Sequence, residues 1–196
     1  MSTRVVDTSD RALPELLEEL LECGGVFIFP TDTVPGIGGD PWDRRPLARV
    51  ARLKGRTSSQ PFTLHLPSID AALSYTRPDE RMRGILERFL PGPYTFLLPS
   101  REGAPPSAVA DGKVGLRVPR HIFFSQVMRS LDRPVFGTSV NRAGLVPLVG
   151  LEEILEQFPQ VDLVVTGPAG SGVSSPVIDL TAHPPQAVRG TLPPGL

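Results

Sequence analysis

Four short segments carry residue types suited to gripping an anion. Lys54-Gly55-Arg56 sets two cations on either side of a glycine, a spacing that suits phosphate oxygens. Pro30-Thr31-Asp32-Thr33-Val34-Pro35-Gly36 offers hydroxyls and a carboxylate just past an apolar run, and ligands of open α/β sheets bind beyond strand carboxyl ends. Gly115-Leu116-Arg117-Val118-Pro119 places one arginine among apolar neighbours, where it either pairs with an acid or points at an anionic ligand. Thr138-Ser139-Val140-Asn141 follows a second apolar run with short donors and acceptors. Each segment has a plainer reading. Lys-Gly-Arg is also a common surface loop, Thr31 to Gly36 an ordinary turn, and Ser139 and Asn141 turn residues that bond their own backbone. His65, within Phe62-Thr63-Leu64-His65-Leu66, is either a satisfied core histidine or a ligand contact, while His121 and His183 read as surface or turn residues.

Other chemistries are set aside by missing patterns. No G-x-x-x-x-G-K-[ST] occurs, and Gly36-Ile37-Gly38-Gly39 lacks the G-x-G-x-x-G spacing. The three histidines have no metal-ligand spacing, so no metal ligands are assigned. The single cysteine, Cys23, excludes an intrachain disulfide and is expected to be buried or half-buried at a helix end. Without a G-x-S-x-G elbow, nucleophilic hydrolysis is not supported. The net charge of −1 is neutral on nucleic acid, but residues 44–58 hold Arg44, Arg45, Arg49, Arg52, Lys54 and Arg56 with no acid. That cluster fits a small-anion site better than an extended nucleic-acid surface, the alternative being a solvated helix face. The excess of arginine over lysine, 18 to 2, reads as compositional bias.

The elements that must position these residues follow from periodicity. Leu13, Leu16, Leu17, Leu20 and Leu21 lie on one helical face, with Ser9 or Asp10 as cap and Pro14 in the first turn. After Gly24-Gly25, residues 26–29 read as a buried strand and residues 30–41 as a loop. Residues 45–53 form a helix that delivers Lys54-Gly55-Arg56. Further strands are expected at 62–66, 94–98, 114–118, 135–137, 161–165 and 177–180, and helices at 69–74, 79–89, 121–131 and 151–158. Residues 101–112 read as an exposed loop, and the tail 184–196 as fraying. Some connections are too short for a helical crossover, so a mixed sheet is expected in one α/β domain over residues 1–196. Apolar runs are short, no signal pattern opens the chain, and a cytoplasmic protein without a membrane segment is expected.

The order of the segments resembles the YrdC/YciO family, whose best-known members are threonylcarbamoyl-AMP synthases. The family's PTDT-x-YG, KGRP, PGP-x-T, RvP, TSAN and STV-x-D segments have counterparts at 30–36, 54–57, 91–95, 117–119, 138–141 and 175–179, with Arg189 following. The similarity runs over about residues 10–190, and the extra C-terminal domain of longer members has no counterpart. The resemblance implies a twisted α/β sheet with a deep, basic concave cavity. It implies a nucleotidyltransferase that makes threonylcarbamoyl-AMP and pyrophosphate from L-threonine, bicarbonate and ATP with Mg²⁺, for modification of a tRNA adenosine. It implies Lys54 and Arg56 as catalytic residues, and Thr33, His65, Arg117 and Ser175 around L-threonine. Lys54, Arg56, Gln60, Thr138, Ser139, Asn141 and Arg189 would hold ATP.

The match also departs from the family at Pro35, Thr57, Gln60, Val140 and Pro176, all expected at the pocket, with Val140 narrowing the space beside the nucleotide. Phe62-Thr63-Leu64, Tyr94-Thr95-Phe96 and residues 152–165 are closer to the YciO branch. The resemblance therefore carries two further readings. One is a YciO-like protein that binds nucleotide or tRNA with weak or different chemistry. The other is a double-stranded-RNA-binding module. Partner proteins in tRNA modification go with the first reading.

Overall fold

Apolar side chains at alternate positions give each strand one face that must be covered, and this decides the architecture. The protein is described from a computed structural model covering residues 3–55 and 61–196. The chain runs through β1 (Arg4–Asp7), α1 (Leu13–Glu22), β2 (Phe27–Phe29), β3 (Gly36–Gly39) and α2 (Arg44–Lys54). It continues with β4 (Thr63–His65), α3 (Ile69–Leu73), α4 (Glu80–Phe89) and β5 (Thr95–Pro99). A 3-10 turn at Pro106–Ala108 leads into β6 (Val109–Ala110) and β7 (Lys113–Arg117). A π-helical turn at Phe123–Met128 then merges into α5 (Arg129–Leu131), before β8 (Val135–Ser139), α6 (Leu151–Gln157), β9 (Leu163–Thr166), β10 (Val177–Asp179) and β11 (Gln186–Arg189).

The strands form one mixed sheet in the order β1-β9-β2-β3-β8-β4-β7-β5-β10-β11, with β6 beside β7. Parallel pairs such as β4–β7 and β5–β10 alternate with antiparallel pairs such as β3–β8 and β5–β7, as the short connections require. Helices flank this sheet in three packed regions. The even-numbered Leu64, Phe96, Leu116 and Ile178 pack against Ala72, Met82 and Leu86 from α3 and α4. Leu13, Leu17 and Leu21 of α1 pack with Phe27, Phe29, Phe123 and Phe124. Val50 of α2 and Ile154 of α6 cover Ile28, Ile37, Phe136 and Val164. Each such fully buried side chain contributes about 1.5–3 kcal/mol before conformational entropy is counted.

Several sequence expectations are corrected. Helix α1 starts after Ala12, which makes no side-chain cap bond. Asp10 Oδ1 instead accepts from the Ala12 N–H at 2.9 Å, holding the lead-in turn. Cys23 is exposed, because the packed face of α1 is made by the leucines. The segment read as a loop at 30–41 contains β3, whose glycines hide its strand character. A Cβ at Gly38 would lie 1.7 Å from the Phe136 carbonyl oxygen, so only glycine permits that approach of β3 to β8. Strand β1 was not foreseen, since its burial is confined to Val6. The 101–112 loop contains β6, paired with β7.

The tail does not simply fray. Strand β11 pairs antiparallel with β10, Arg88 Nη1 donates to the Gly195 carbonyl at 2.9 Å, and Leu196 packs on the first core region. His121 is a buried cap, not a surface residue. Its Nδ1 accepts from the Phe123 N–H at 3.1 Å, so Nε2 carries the proton and donates to the Pro168 carbonyl at 3.0 Å. His183 is exposed, at a bend.

Candidate functional site

Opposite the even-numbered core residues of β4, β5 and β7, the odd-numbered ones line a cavity of about 710 Å³. Thr63 and His65, Thr95 and Leu97, and Lys113, Gly115 and Arg117 stand on this one face by the two-residue period of a strand. Register aligns them in rows. His65 lies opposite Arg117, and Gly115 opposite Leu97. Lys113 is four residues from Arg117 along β7, about 13 Å at ordinary strand rise. The cavity thus has two differently built ends.

At the Arg117 end His65, Thr95, Arg117 and Ser175 are buried, while Arg189 is exposed. Arg117 is 4% exposed, and its Nη2 donates to Asp32 Oδ1 in an ion pair reaching across from the 30–35 loop. Arg117 Nε and Asp32 Oδ2, both buried, have no hydrogen-bond partner among the described residues. Burial pulls the Arg117 pKa down, and Asp32 partly offsets this. His65 Nδ1 lies 3.3 Å from the Thr63 carbonyl, which makes Nδ1 the protonated nitrogen, and its ring meets Phe29 edge-on at 5.3 Å. Burial, reinforced by the Arg117 charge, lowers the His65 pKa from 6.5 to about 3, so this histidine is neutral at physiological pH. The Thr95 and Ser175 hydroxyls bond each other at 3.0 Å. Arg189, opposite Val177 on β11, donates from Nη2 to the Ser175 carbonyl at 2.8 Å, and burial lowers its pKa as well.

The Lys54 end is a polar knot between the end of α2 and the turn after β8. Lys54 Nζ donates to the Ser139 carbonyl and, at 2.8 Å, to Asn141 Oδ1, which also accepts from Ser139 Oγ at 2.6 Å. Asn141 Nδ2 donates onward to the carbonyls of Arg142 and Leu145, at 3.0 and 2.7 Å. The Ala143 N–H donates to the Lys54 carbonyl at 2.8 Å, closing the turn. Lys113 reaches the same cavity and pairs with Asp179 Oδ2 at 2.6 Å. Burial pushes the Asp179 carboxyl up, but hydrogen bonds from Lys113 and Thr181 outweigh it and leave the pKa below its ordinary value.

Of the residues singled out in the sequence, Lys54, His65, Arg117, Thr138, Ser139, Asn141, Ser175 and Arg189 all line this cavity. Thr33 does not. It is buried within the 30–35 loop, with its hydroxyl 3.1 Å from that of Thr31. Arg56, Thr57 and Gln60 lie outside the described residues. Arg189 stands at the Arg117 end, away from Asn141. Arg117 pairs with an acid, the first of its two readings, and also borders the cavity. His65 is a packed core ring that also lines it.

Of the altered positions, Pro35 lines the cavity, but Val140 does not narrow it. The Val140 side chain is fully buried with Phe136 and Ile154, because its neighbours Ser139 and Asn141 take the cavity side of the turn. Pro176 is not among the lining residues either, and its carbonyl accepts from the Thr95 N–H at 3.0 Å. The arginines of α2 partly serve the fold: Arg45 pairs with Asp43 at 2.6 Å and Arg49 with Asp162 at 2.5 Å. Sequence reading passed over Thr95, Lys113 and Asp111, which also line the cavity. The first two were accessible, since the period-two pattern that exposes Arg117 also exposes Lys113, and Thr95 closes the Pro91-Gly92-Pro93-Tyr94-Thr95 segment.

Comparison with known proteins places the chain in a family and a fold. The Sua5/YciO/YrdC family model, described as "Telomere recombination", matches residues 19–191. The threonylcarbamoyl-AMP synthase of Pyrococcus abyssi is 32% identical over 177 residues, which are 87% of this chain and 52% of that protein. The chain therefore spans about half the length of that relative. The uncharacterised protein YciO of Escherichia coli is 27% identical over 187 residues, covering 93% of this chain and 91% of its own. The crystal structure of P. abyssi Sua5 complexed with L-threonine superposes with a TM-score of 0.86 at 27% identity, over 95% of this chain and 57% of that one. E. coli YciO superposes with a TM-score of 0.88 at 26% identity, over the whole of both chains. By sequence match and by fold, the chain belongs to the Sua5/YciO/YrdC family.

Proposed function

We propose that this protein is a threonylcarbamoyl-AMP synthase, forming threonylcarbamoyl-AMP and pyrophosphate from L-threonine, bicarbonate and ATP. The observation that carries the reading is one cavity with a buried guanidinium at one end and the Lys54–Ser139–Asn141 knot at the other. The names of the curated relatives and the L-threonine bound to P. abyssi Sua5 support it. In this reading Arg117, His65 and Ser175 surround L-threonine. Lys54, Arg56, Gln60, Thr138, Ser139, Asn141 and Arg189 hold ATP. The threonine amine combines with bicarbonate, losing water, to give a carbamate. A carbamate oxygen then bonds to the α-phosphorus as the bond to the departing pyrophosphate breaks. No protein nucleophile is required, and the contribution of Lys54 and Arg56 is alignment and charge stabilisation. Among the described residues no group of three or more His, Cys, Asp or Glu could cage a metal. Mg²⁺ would be held chiefly by the nucleotide phosphates, whose charge it would neutralise. The product would serve tRNA modification in the cytoplasm. Among the described residues no helix is long and apolar enough to cross a membrane.

The test is pyrophosphate release with ATP, Mg²⁺ and bicarbonate, with and without L-threonine. Threonine-dependent release is the expected result. ATP binding without such release favours a second reading, a YciO-like nucleotide- or tRNA-binding protein, which the full-length superposition on YciO recommends. Binding of double-stranded RNA with neither ATP nor L-threonine bound would remove both.

A further inference from the structure

The Arg117 end contains a carboxylate that does not line the cavity but controls a group that does. Asp32 Oδ1 takes a single Nη of Arg117, not the two-point grip that carboxylate and guanidinium commonly make. Among the described residues, Arg117 Nε and Asp32 Oδ2 are left buried without partners, and Arg117 borders the cavity. None of the described residues beside Arg117 supplies a second anion. His65 is neutral, the Thr95 and Ser175 hydroxyls bond each other, and Arg189 is another cation. Two guanidiniums and one carboxylate leave an excess of one positive charge among these groups.

Asp32 is itself held rigidly from the backbone. Its carbonyl accepts from the Ser171 N–H at 3.1 Å, and the Thr33 carbonyl accepts from the Gly172 N–H at 2.9 Å. Gly170 presses so close that a Cβ there would lie 2.4 Å from the Thr33 oxygen. The 167–175 loop, which carries Ser175, is therefore locked over Asp32.

We propose that Asp32 is the positioning residue for Arg117, holding the guanidinium by Nη2 so that its cavity-facing side meets the carboxylate of the amino-acid substrate. This deepens the synthase reading and rests on it. The test compares binding of L-threonine and L-threoninol, which lacks the carboxylate, by calorimetry on the full chain. The unaltered protein should favour L-threonine by about tenfold or more, the scale of a hydrogen bond between charged groups. Asp32→Asn, isosteric and uncharged, should shrink that preference to about threefold or less while L-threoninol and ATP affinities hold. Asp32→Glu, which keeps the charge but moves it, should reduce the preference to an intermediate value. It gives the same comparison if Asp32→Asn lacks a cooperative thermal transition.

An unchanged preference in either folded variant overturns the proposal, as does equal weakening of both ligands, which a merely structural role would produce. A preference near one in the unaltered protein also overturns it. Absence of both L-threonine binding and threonine-dependent pyrophosphate release would instead remove the synthase reading, and this inference with it.

Discussion

The two ends of the cavity use their cations differently. At the Lys54 end the ammonium is directed into the protein, to the Ser139 carbonyl and Asn141, and it fixes the shape of a turn. At the Arg117 end the guanidinium is just as buried, yet one of its donors has no acceptor among the described residues. Both residues sit at 4% exposure, so burial alone does not separate a cation whose bonds shape a turn from one with an unmet donor. Hydrogen-bond accounting does. An unmet buried donor is costly in the free protein, and a ligand that meets it recovers that cost on binding.

This contrast can be broken in four places. The largest effect is expected from Arg117→Ala, which strands the Asp32 carboxylate in a buried site and should lower stability by about 3–5 kcal/mol in chemical denaturation. The double variant Asp32→Asn/Arg117→Met should recover most of that loss, and failure to recover would mean that the pair is not the unit described. Next comes Lys54→Ala, expected to cost about 1.5–3 kcal/mol and to weaken ATP while leaving L-threonine affinity alone. Equal weakening of both ligands would erase the distinction between the ends.

The third test is pH. Because the folded His65 pKa is lowered to about 3 from 6.5, the unfolded chain takes up a proton in that interval and the folded chain does not. Stability should therefore be unaffected by this group above pH 6.5. It should fall by about 1.4 kcal/mol for each unit of acidification below that, down to about pH 3. His65→Asn should flatten that portion of the stability–pH curve. The smallest effect is expected from Lys113→Ala, below about 1 kcal/mol, since the lysine is partly exposed and Asp179 keeps its bonds from Thr181.

Much of this site was legible in the sequence, because strand periodicity and motif order are local properties. Leu64, Phe96 and Leu116 against His65, Thr95 and Arg117 already separate a core face from a ligand face. What escaped was set by non-local geometry. Gly38 of β3 is required because Phe136 comes so near, and no local propensity reports a neighbour that is 98 residues away. Val140 belongs to the core because Ser139 and Asn141 claim the opposite side of the turn, a choice made by Lys54. The Asp32–Arg117 pair spans 85 positions, and each partner was read for its own segment. Cys23 and His121 were misplaced for a similar reason. Helix-end position does not reveal which side packs, nor that a loop carbonyl at Pro168 awaits a donor.

The wide turn at Phe123–Met128 has a consequence for how this family can vary. In an ordinary helix consecutive side chains diverge by about 100°, yet Phe123 and Phe124 are both fully buried. Phe123 stacks on Phe29 at 6.1 Å, and Phe124 lies 6.0 Å from the His65 ring. A π turn accommodates this by holding one residue more than an α turn. Deleting a single residue there would tighten the spiral and swing one aromatic out of the floor beneath His65, with every lining side chain unchanged in identity. Insertions and deletions in a helix that never meets the ligand thus become a means of retuning the pocket, through a count of residues instead of their kind.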